Sequence, residues 1–312
     1  MISIALASYN GSKYIREQLD SILSQTYQDF ELIICDDNST DSTWQILEEY
    51  AQKDNRIKIF ENEKNLGFKK NFEKAISLCS GEYIALSDQD DIWMENHLEV
   101  LLNNLGDKSI SGGNALLVDE NGRSKGIKLN EVDNFIEFDA NKFIYRVLFV
   151  SDPIQGASML MKKKFIDSCL PIPEKIKYHD AWFAACACLN NGVTYTFDVI
   201  NKYRQHGNNV TFLAHNKDDS FFHRLNVKLS KLKYGVATDR FHYVEELKNR
   251  YGLTNKDFEL IYSIFQKKKY HKLLSFEDIK TLWNKYYYIV TKKTHKGFLK
   301  FLISRFFFWH SV

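Results

Sequence analysis

No uninterrupted apolar run in this sequence approaches the roughly 20 residues that span a bilayer. No basic stretch followed by a long apolar one stands near its start, where Met1–Ser8 leads straight into Tyr9-Asn10-Gly11. The expectation is a chain without a signal peptide, soluble or peripheral to a membrane. Cysteine is sparse, and its five residues (Cys35, Cys79, Cys169, Cys186 and Cys188) are odd in number and scattered. That spacing is neither a disulfide framework nor a zinc site, and a reducing cytoplasm fits it best. Proline is rarer still, with three residues in 312, so no Pro-rich spacer holds the C-terminal region away from the rest, and the tail is expected to pack against the main domain. The first strand ends without the glycine-rich, basic phosphate loop, which counts against a nucleotidyltransferase or another nucleotide enzyme on a similar sheet. The front of the chain also lacks positive charge: residues 1–110 carry 20 Asp and Glu against 10 Lys and Arg. Phosphate-backbone binding needs a positive surface, so nucleic acid is not expected as a partner.

What is present begins with charge of the opposite kind at the other end, where residues 262–312 hold 11 Lys and Arg against 2 acidic residues. The hydrophobic content of 44% suffices for one large domain, or for a domain of about 200 residues with an appendage. In the first hundred residues short apolar runs alternate with amphipathic segments, the pattern of βαβ units in an α/β fold with a mainly parallel sheet. Strands are expected at Ile2–Ala7, Phe30–Cys35, Ile57–Glu61 and Glu82–Ser87. Helices are expected over Lys13–Gln25, from a cap at Ser39 or Asp41 to about Lys53, and over Gly67–Cys79 with Gly81 as its C-cap. Beyond Ser109 the pattern loosens into β-like pieces near Asn121-Gly122 and Ala157–Met161, then a helix from about Asp180. After Asn209 the signal is helical only, flanking a C-terminal region of about a hundred residues.

In open α/β sheets ligands bind beyond the carboxyl ends of the strands. Three of those ends are polar: Ser8-Tyr9-Asn10, Asp36-Asp37-Asn38-Ser39 and Asp88-Gln89-Asp90-Asp91. Tyr9 suits stacking on a nucleobase, and Asp37 suits accepting the imide N–H of uracil or thymine. Asp-Asp-Asn-Ser is equally ordinary turn and capping chemistry. Asp88, Asp90 and Asp91 put three negative charges into four residues, which repel unless a cation neutralises them. Oxygen ligands point to Mg²⁺ or Mn²⁺ completed by waters and substrate phosphates, while the bland alternative is a solvated loop capping the next helix.

Together with Leu23-Ser24-Gln25-Thr26, Phe30-Glu31-Leu32, Asn65-x-Gly67, Gly81-Glu82-Tyr83-Ile84 and Ser87–Trp93, these strand ends resemble the family 2 glycosyltransferases over roughly residues 1–215. Ser-Asp-Gln-Asp-Asp-Ile-Trp, with Tyr203-Arg204-Gln205-His206-Gly207-Asn208-Asn209, is most similar to the rhamnosyltransferase-like branch of bacterial polysaccharide enzymes. The resemblance implies a GT-A (Rossmann-like) domain over 1–215, with a nucleotide-sugar-binding half at 1–108 and an acceptor half at 109–215, and a helical region at 216–312. It implies an inverting transfer from a UDP or dTDP donor to a hydroxyl of a surface polysaccharide or lipid-linked glycan. Tyr9, Asn10, Asp37 and Asn65 match nucleotide-binding positions, Asp88 the position near the donor ribose, and Asp90 the ligand of Mn²⁺ or Mg²⁺. Gly156 lies in the loop under the donor sugar, Arg204 is placed to pair with diphosphate oxygens, and His206 matches a C-terminal metal or diphosphate contact. Tyr178-His179-Asp180 matches the catalytic-base motif with His179 in place of an acidic residue, which assigns the base to Asp180; the same residue is also a plausible helix N-cap. A non-catalytic scaffold that kept the fold is the remaining alternative. An apolar face at Leu299, Leu302, Ile303 and Phe306, with nearby lysines, suits attachment to an anionic inner membrane face or packing on the protein itself. The sequence leaves oligomeric state open.

Overall fold

A computed structural model describes residues 1–132, 135–149, 154–207, 209, 236–253, 256–270 and 272–289. The tail segment from Leu299 to Trp309, and with it the expected membrane-facing helix, lies outside the described residues. The chain divides into two compact units, one of residues 1–133, 152–172 and 178–206, the other of 134–151, 173–177 and 207–312.

The first unit is built on a nine-stranded sheet of order β3-β2-β1-β4-β8-β6-β9-β5, with β7 paired to β6. Strand β1 (Ile2–Ser8) lies between β2 (Phe30–Asp36) and β4 (Tyr83–Asp88), parallel to both, and β3 (Ile57–Glu61) extends the parallel set. Ile2, Ile4 and Leu6 are wholly buried, as are Leu32 and Ile34, because helices cover both faces of a central parallel strand. Helix α1 (Ile15–Leu23) buries Ile15, Leu19 and Ile22 in that core, at the helical spacing read from the sequence. Helices α2 (Thr43–Lys53) and α3 (Phe68–Leu78) complete the βαβ units. Gly81 is not a C-cap. Helix α3 ends at Cys79 in extended backbone, and Gly81 instead lets the chain approach β1, where a Cβ would lie 2.7 Å from the Ser3 amide nitrogen.

The parallel order stops at β4. Beyond it β5 (Ile92–Trp93), α4 (His97–Leu105), β6 (Ile110–Val118) and β7 (Ser124–Lys128) follow, with Asn121-Gly122 in the β6–β7 turn. A 3₁₀ turn at Gly156–Ser158 leads into β8 (Met159–Lys162), which runs antiparallel to β4 and β6. Strand β9 (Val193–Arg204) is parallel to β6 and antiparallel to β5. Short helices α5 (Leu129–Val132), α6 (Phe143–Phe149) and α7 (Lys163–Cys169) fall between, and α8 (His179–Leu189) precedes β9.

In the second unit α6 packs with helices α9 (Val236–Tyr251), α10 (Lys256–Lys269) and α11 (Phe276–Ile289), and Phe149 stacks on Phe265 at 5.1 Å. Ser275 caps α11 through a reciprocal box: the Asp278 N–H donates to Ser275 Oγ at 3.2 Å, and the Ser275 N–H donates back to the Asp278 carboxylate at 2.5 Å. Among the described residues no helix is long and apolar enough to cross a membrane.

Candidate functional site

The chain runs outward from β1 through β2 to β3 and then returns to place β4 on the other side of β1, so the strand order reverses between β1 and β4. Such a switch point opens a crevice at the strands' carboxyl ends. Register levels the three polar ends: Ala7 pairs with both Cys35 and Asp88, and Ser8 with Asp36. Tyr9, Asp37 and the acidic turn after Asp88 therefore leave the sheet together.

Tyr9 is 45% exposed, and its backbone is held by the Gln89 side chain, which accepts from the Tyr9 N–H and donates to the Tyr9 carbonyl, both at 2.9 Å. This clamp requires Gly11, because a Cβ there would fall 2.1 Å from Gln89 Oε1. Asn10 adopts a left-handed φ of 48°, which asparagine tolerates, and its side chain accepts the Thr40 N–H at 2.8 Å. Asp37 is nearly buried and accepts three hydrogen bonds, from Asn62 Nδ2 at 2.7 Å, Leu66 N at 2.7 Å and Gly67 N at 2.8 Å. A carboxylate has about four acceptor sites, so one is left to a ligand. Asn65 is exposed and accepts the Gly67 N–H at 3.0 Å in the same loop.

The acidic turn is crowded. Burial, then Asp90, then Asp180 push the Asp88 carboxyl up to about 7. Asp91 is fully buried and its carboxyl is held well above the usual range by burial and by Asp90 and Asp88, although the Arg204 N–H donates to it at 3.0 Å. The Tyr203 phenol is pushed up by burial and by Asp91, Asp88, Asp90 and Asp180. The fold has thus brought Asp180 to the charges of the turn from 90 positions away in sequence.

Pairing of β9 with β5 delivers Arg204 and His206 to the same turn. His206 Nε2 and Asp90 Oδ2 converge at 2.7 Å. The Arg204 guanidinium, 1% exposed, donates to the Asp90 carbonyl at 2.8 Å and the Glu120 carbonyl at 3.1 Å, and forms a short ion pair with Glu17. Asp180 lies one residue inside α8, whose N-cap is Tyr178, and its carboxylate accepts the Ala181 N–H at 2.7 Å. His179 is packed on Phe72 at 4.5 Å, near Phe68 and Phe183. Burial lowers its pKa, and among the described residues neither ring nitrogen finds a hydrogen-bond partner. Gly156 backs onto it, since a Cβ there would lie 3.0 Å from His179 Nε2. Sequence reasoning missed Tyr14, Glu17 and the Gln89 clamp. Only the three-residue spacing of Tyr14 and Glu17 at the start of an expected helix could have pointed to the first two.

Among the described residues no group of three or more His, Cys, Asp or Glu side chains is arranged to hold a metal ion. Asp90 and His206 supply one oxygen and one nitrogen donor that already converge, within an excess of carboxylate. That set fits Mg²⁺ or Mn²⁺, which take few protein ligands and complete their shell with waters and phosphate oxygens.

Residues 3–170 match the model of glycosyl transferase family 2. A UDP-Glc:alpha-D-GlcNAc-diphosphoundecaprenol beta-1,3-glucosyltransferase of Escherichia coli is 38% identical over 111 residues, 36% of this chain and 43% of that one. Among solved structures, S. aureus TarS in complex with UDP-GlcNAc aligns with TM-score 0.58 and 19% identity, over 92% of this chain and 81% of that one. A mannosyltransferase from Pyrobaculum calidifontis in complex with GDP-Man and Mn²⁺ aligns with TM-score 0.54 and 15% identity, over 92% and 73%. These likenesses establish the GT-A fold.

Proposed function

This chain belongs to glycosyl transferase family 2, and we propose that it is a metal-dependent, inverting glycosyltransferase moving a sugar from a UDP or dTDP donor to a hydroxyl of a lipid-linked or cell-surface glycan. The observation that carries this reading is that Asp180, a carboxylate on α8, acts on the charge of Asp88 at the strand switch point, beside the Asp90–His206 pair. Residues 1–108 would hold the nucleotide sugar and 109–215 the acceptor.

Tyr9 offers its exposed ring to the base, and the remaining acceptor site of Asp37 suits a pyrimidine imide N–H. Asn10 and Asn65 shape the loops around it, Asp88 faces the ribose, and Gly156 leaves room beneath the donor sugar. Asp90 and His206 hold Mn²⁺ or Mg²⁺, which when bound stabilises the negative charge developing on the departing diphosphate. Arg204, bonded to Glu17 and to the carbonyls of Asp90 and Glu120, positions Asp90 and keeps further N–H donors for the diphosphate. Asp180 takes the proton of the acceptor hydroxyl as its oxygen forms a bond to the anomeric carbon. The bond from that carbon to the diphosphate oxygen breaks on the opposite side, its electron pair leaves with the nucleoside diphosphate, and configuration inverts.

Names of similar proteins support parts of this reading: a UDP-sugar and a diphosphoundecaprenol-linked acceptor in one, bound UDP-GlcNAc in another, and GDP-Man with Mn²⁺ in a third. A lipid-linked acceptor suits peripheral attachment at the cytoplasmic face of a membrane. Tyr270 and Leu273 in the α10–α11 turn and Phe276 at the start of α11 are 60%, 83% and 78% exposed beside Lys269 and Lys272, an apolar and basic surface suited to anionic lipid. The test is release of nucleoside diphosphate from a panel of nucleotide sugars, with Mn²⁺ or with EDTA. Activity restricted to pyrimidine donors and abolished by EDTA or by Asp90→Ala is expected, and full activity in EDTA refutes the metal-dependent mechanism.

A further inference from the structure

We propose that Tyr14 and Glu17, at the start of α1, are positioning residues that hold His206 and Arg204, and through them Asp90, in the geometry that receives a divalent cation. The inference rests on the cation reading above and extends it to residues that touch neither donor nor acceptor in that scheme.

Helix α1 starts close to the acidic turn because the chain reverses at Gly11, whose carbonyl accepts the Tyr14 and Ile15 N–H groups at 2.9 and 3.0 Å. Tyr14 stands at the N-cap of α1 and Glu17 in its first turn, and both reach the residues that β9 delivers. The His206 imidazole stacks on the Tyr14 ring with centroids 4.8 Å apart and planes at 27°. Arg204 Cζ also lies 4.8 Å from the Tyr14 centroid, so one ring supports both residues that β9 sends to the turn. A guanidinium 1% exposed needs a counter-charge, and Glu17 supplies it while remaining half exposed itself. The same guanidinium fixes the Asp90 carbonyl at 2.8 Å, while the Asp90 carboxylate meets His206 Nε2 at 2.7 Å. Asp90 is therefore held by its backbone through Glu17 and by its side chain through Tyr14. A second link closes the frame: Lys13 binds Glu120 Oε2 at 3.0 Å, and the Glu120 carbonyl accepts from Arg204 at 3.1 Å.

Two donors whose rotamers are locked in advance bind a cation more tightly than two that must be ordered on its arrival. The stacked ring, not the phenol hydroxyl, is the part of Tyr14 that this arrangement needs.

The test is Mn²⁺ binding to the full chain, without donor or acceptor, followed by the electron paramagnetic resonance signal of free Mn²⁺. Tyr14→Leu and Glu17→Ala are expected to weaken binding on the order of tenfold, the usual scale for residues behind a ligand. Tyr14→Phe is expected to stay within about twofold of the parent, and Glu17→Gln, which keeps an acceptor oxygen but not the charge, to lose about threefold. Thermal melts establish that each variant is folded. If Tyr14→Leu does not fold, the contrast between Tyr14→Phe and Glu17→Gln decides in its place. Unchanged affinity in the folded Leu, Ala and Gln variants overturns the proposal, as does equal loss in Tyr14→Phe and Tyr14→Leu. A parent chain that binds no Mn²⁺ overturns it together with the cation reading, whereas parent binding with unaffected variants overturns the positioning roles alone.

Discussion

Glu31 on β2 is a buried carboxylate on which three other segments of the first unit converge, and replacing it with glutamine isolates the contribution of its charge. Its Oε1 accepts from the Ser3 hydroxyl at 2.6 Å and from the Ser80 amide and hydroxyl at 2.7 Å, while Oε2 meets Lys58 at 2.8 Å. Burial alone would raise the carboxyl, but Lys58, the two serine hydroxyls and the Ser80 amide outweigh it and lower the value from 4.5 to about 2. That difference converts to about 3 kcal/mol. Lys58 is 54% exposed, so its share is screened by solvent and about 2 kcal/mol is the better expectation. The sign follows from the direction: a carboxyl lowered on folding contributes fully above its unfolded value of 4.5 and loses its contribution as pH falls toward 2. Urea melts of the parent and Glu31→Gln at pH 7, 5, 4 and 3 measure this. The stability gap should be about 2 kcal/mol at neutral pH and less than half of that by pH 3. A gap that stays constant over this range refutes the argument.

Asp180→Asn should leave nucleotide binding intact by calorimetry and lower turnover by a factor on the order of 100 or more; near-normal turnover removes Asp180 from the mechanism. Gly11→Ala displaces the Gln89 amide from the Tyr9 backbone, so Gly11→Ala, Gln89→Ala and the double variant should raise the donor KM by a similar amount, several-fold in each. Additive effects would show that the clamp is not what Gly11 protects. His179→Phe replaces by carbon two buried nitrogens that have no partner among the described residues, and should leave the melting temperature unchanged or higher. A fall of several degrees would mean that those nitrogens have partners in solution.

The parallel half of the fold is legible in the sequence because strands buried on both faces read as continuous apolar runs, as in Ile2–Leu6 and Leu32–Cys35. The mixed half beyond β4 is not: Ala157 reads as strand yet sits in a 3₁₀ turn, and β9 finds β5 only across about a hundred residues. The crevice itself is legible from Tyr9, Asp37 and the aspartates after Ser87, since strand ends and charge density are local properties. What those residues bond to is not local. The donors on Asp37 come from a loop 25 to 30 positions later, and the anchor of Arg204 stands 187 positions earlier. Gly81 shows the same limit, because a C-cap and a close approach to a neighbouring strand call for the same residue type.

The separation of Asp90 from His206 by 116 residues sets a schedule during synthesis. At about 5–20 residues per second the ribosome adds His206 roughly 6–23 seconds after Asp90. Through that interval the aspartates of the turn lack Arg204 and His206, and the edge of β6 that β9 will occupy is unpaired. A nascent chain shorter than this is both unable to bring His206 to Asp90 and exposed to mispairing at that edge. The strand that brings the last residues to the crevice is thus also the one that covers the open edge of β6.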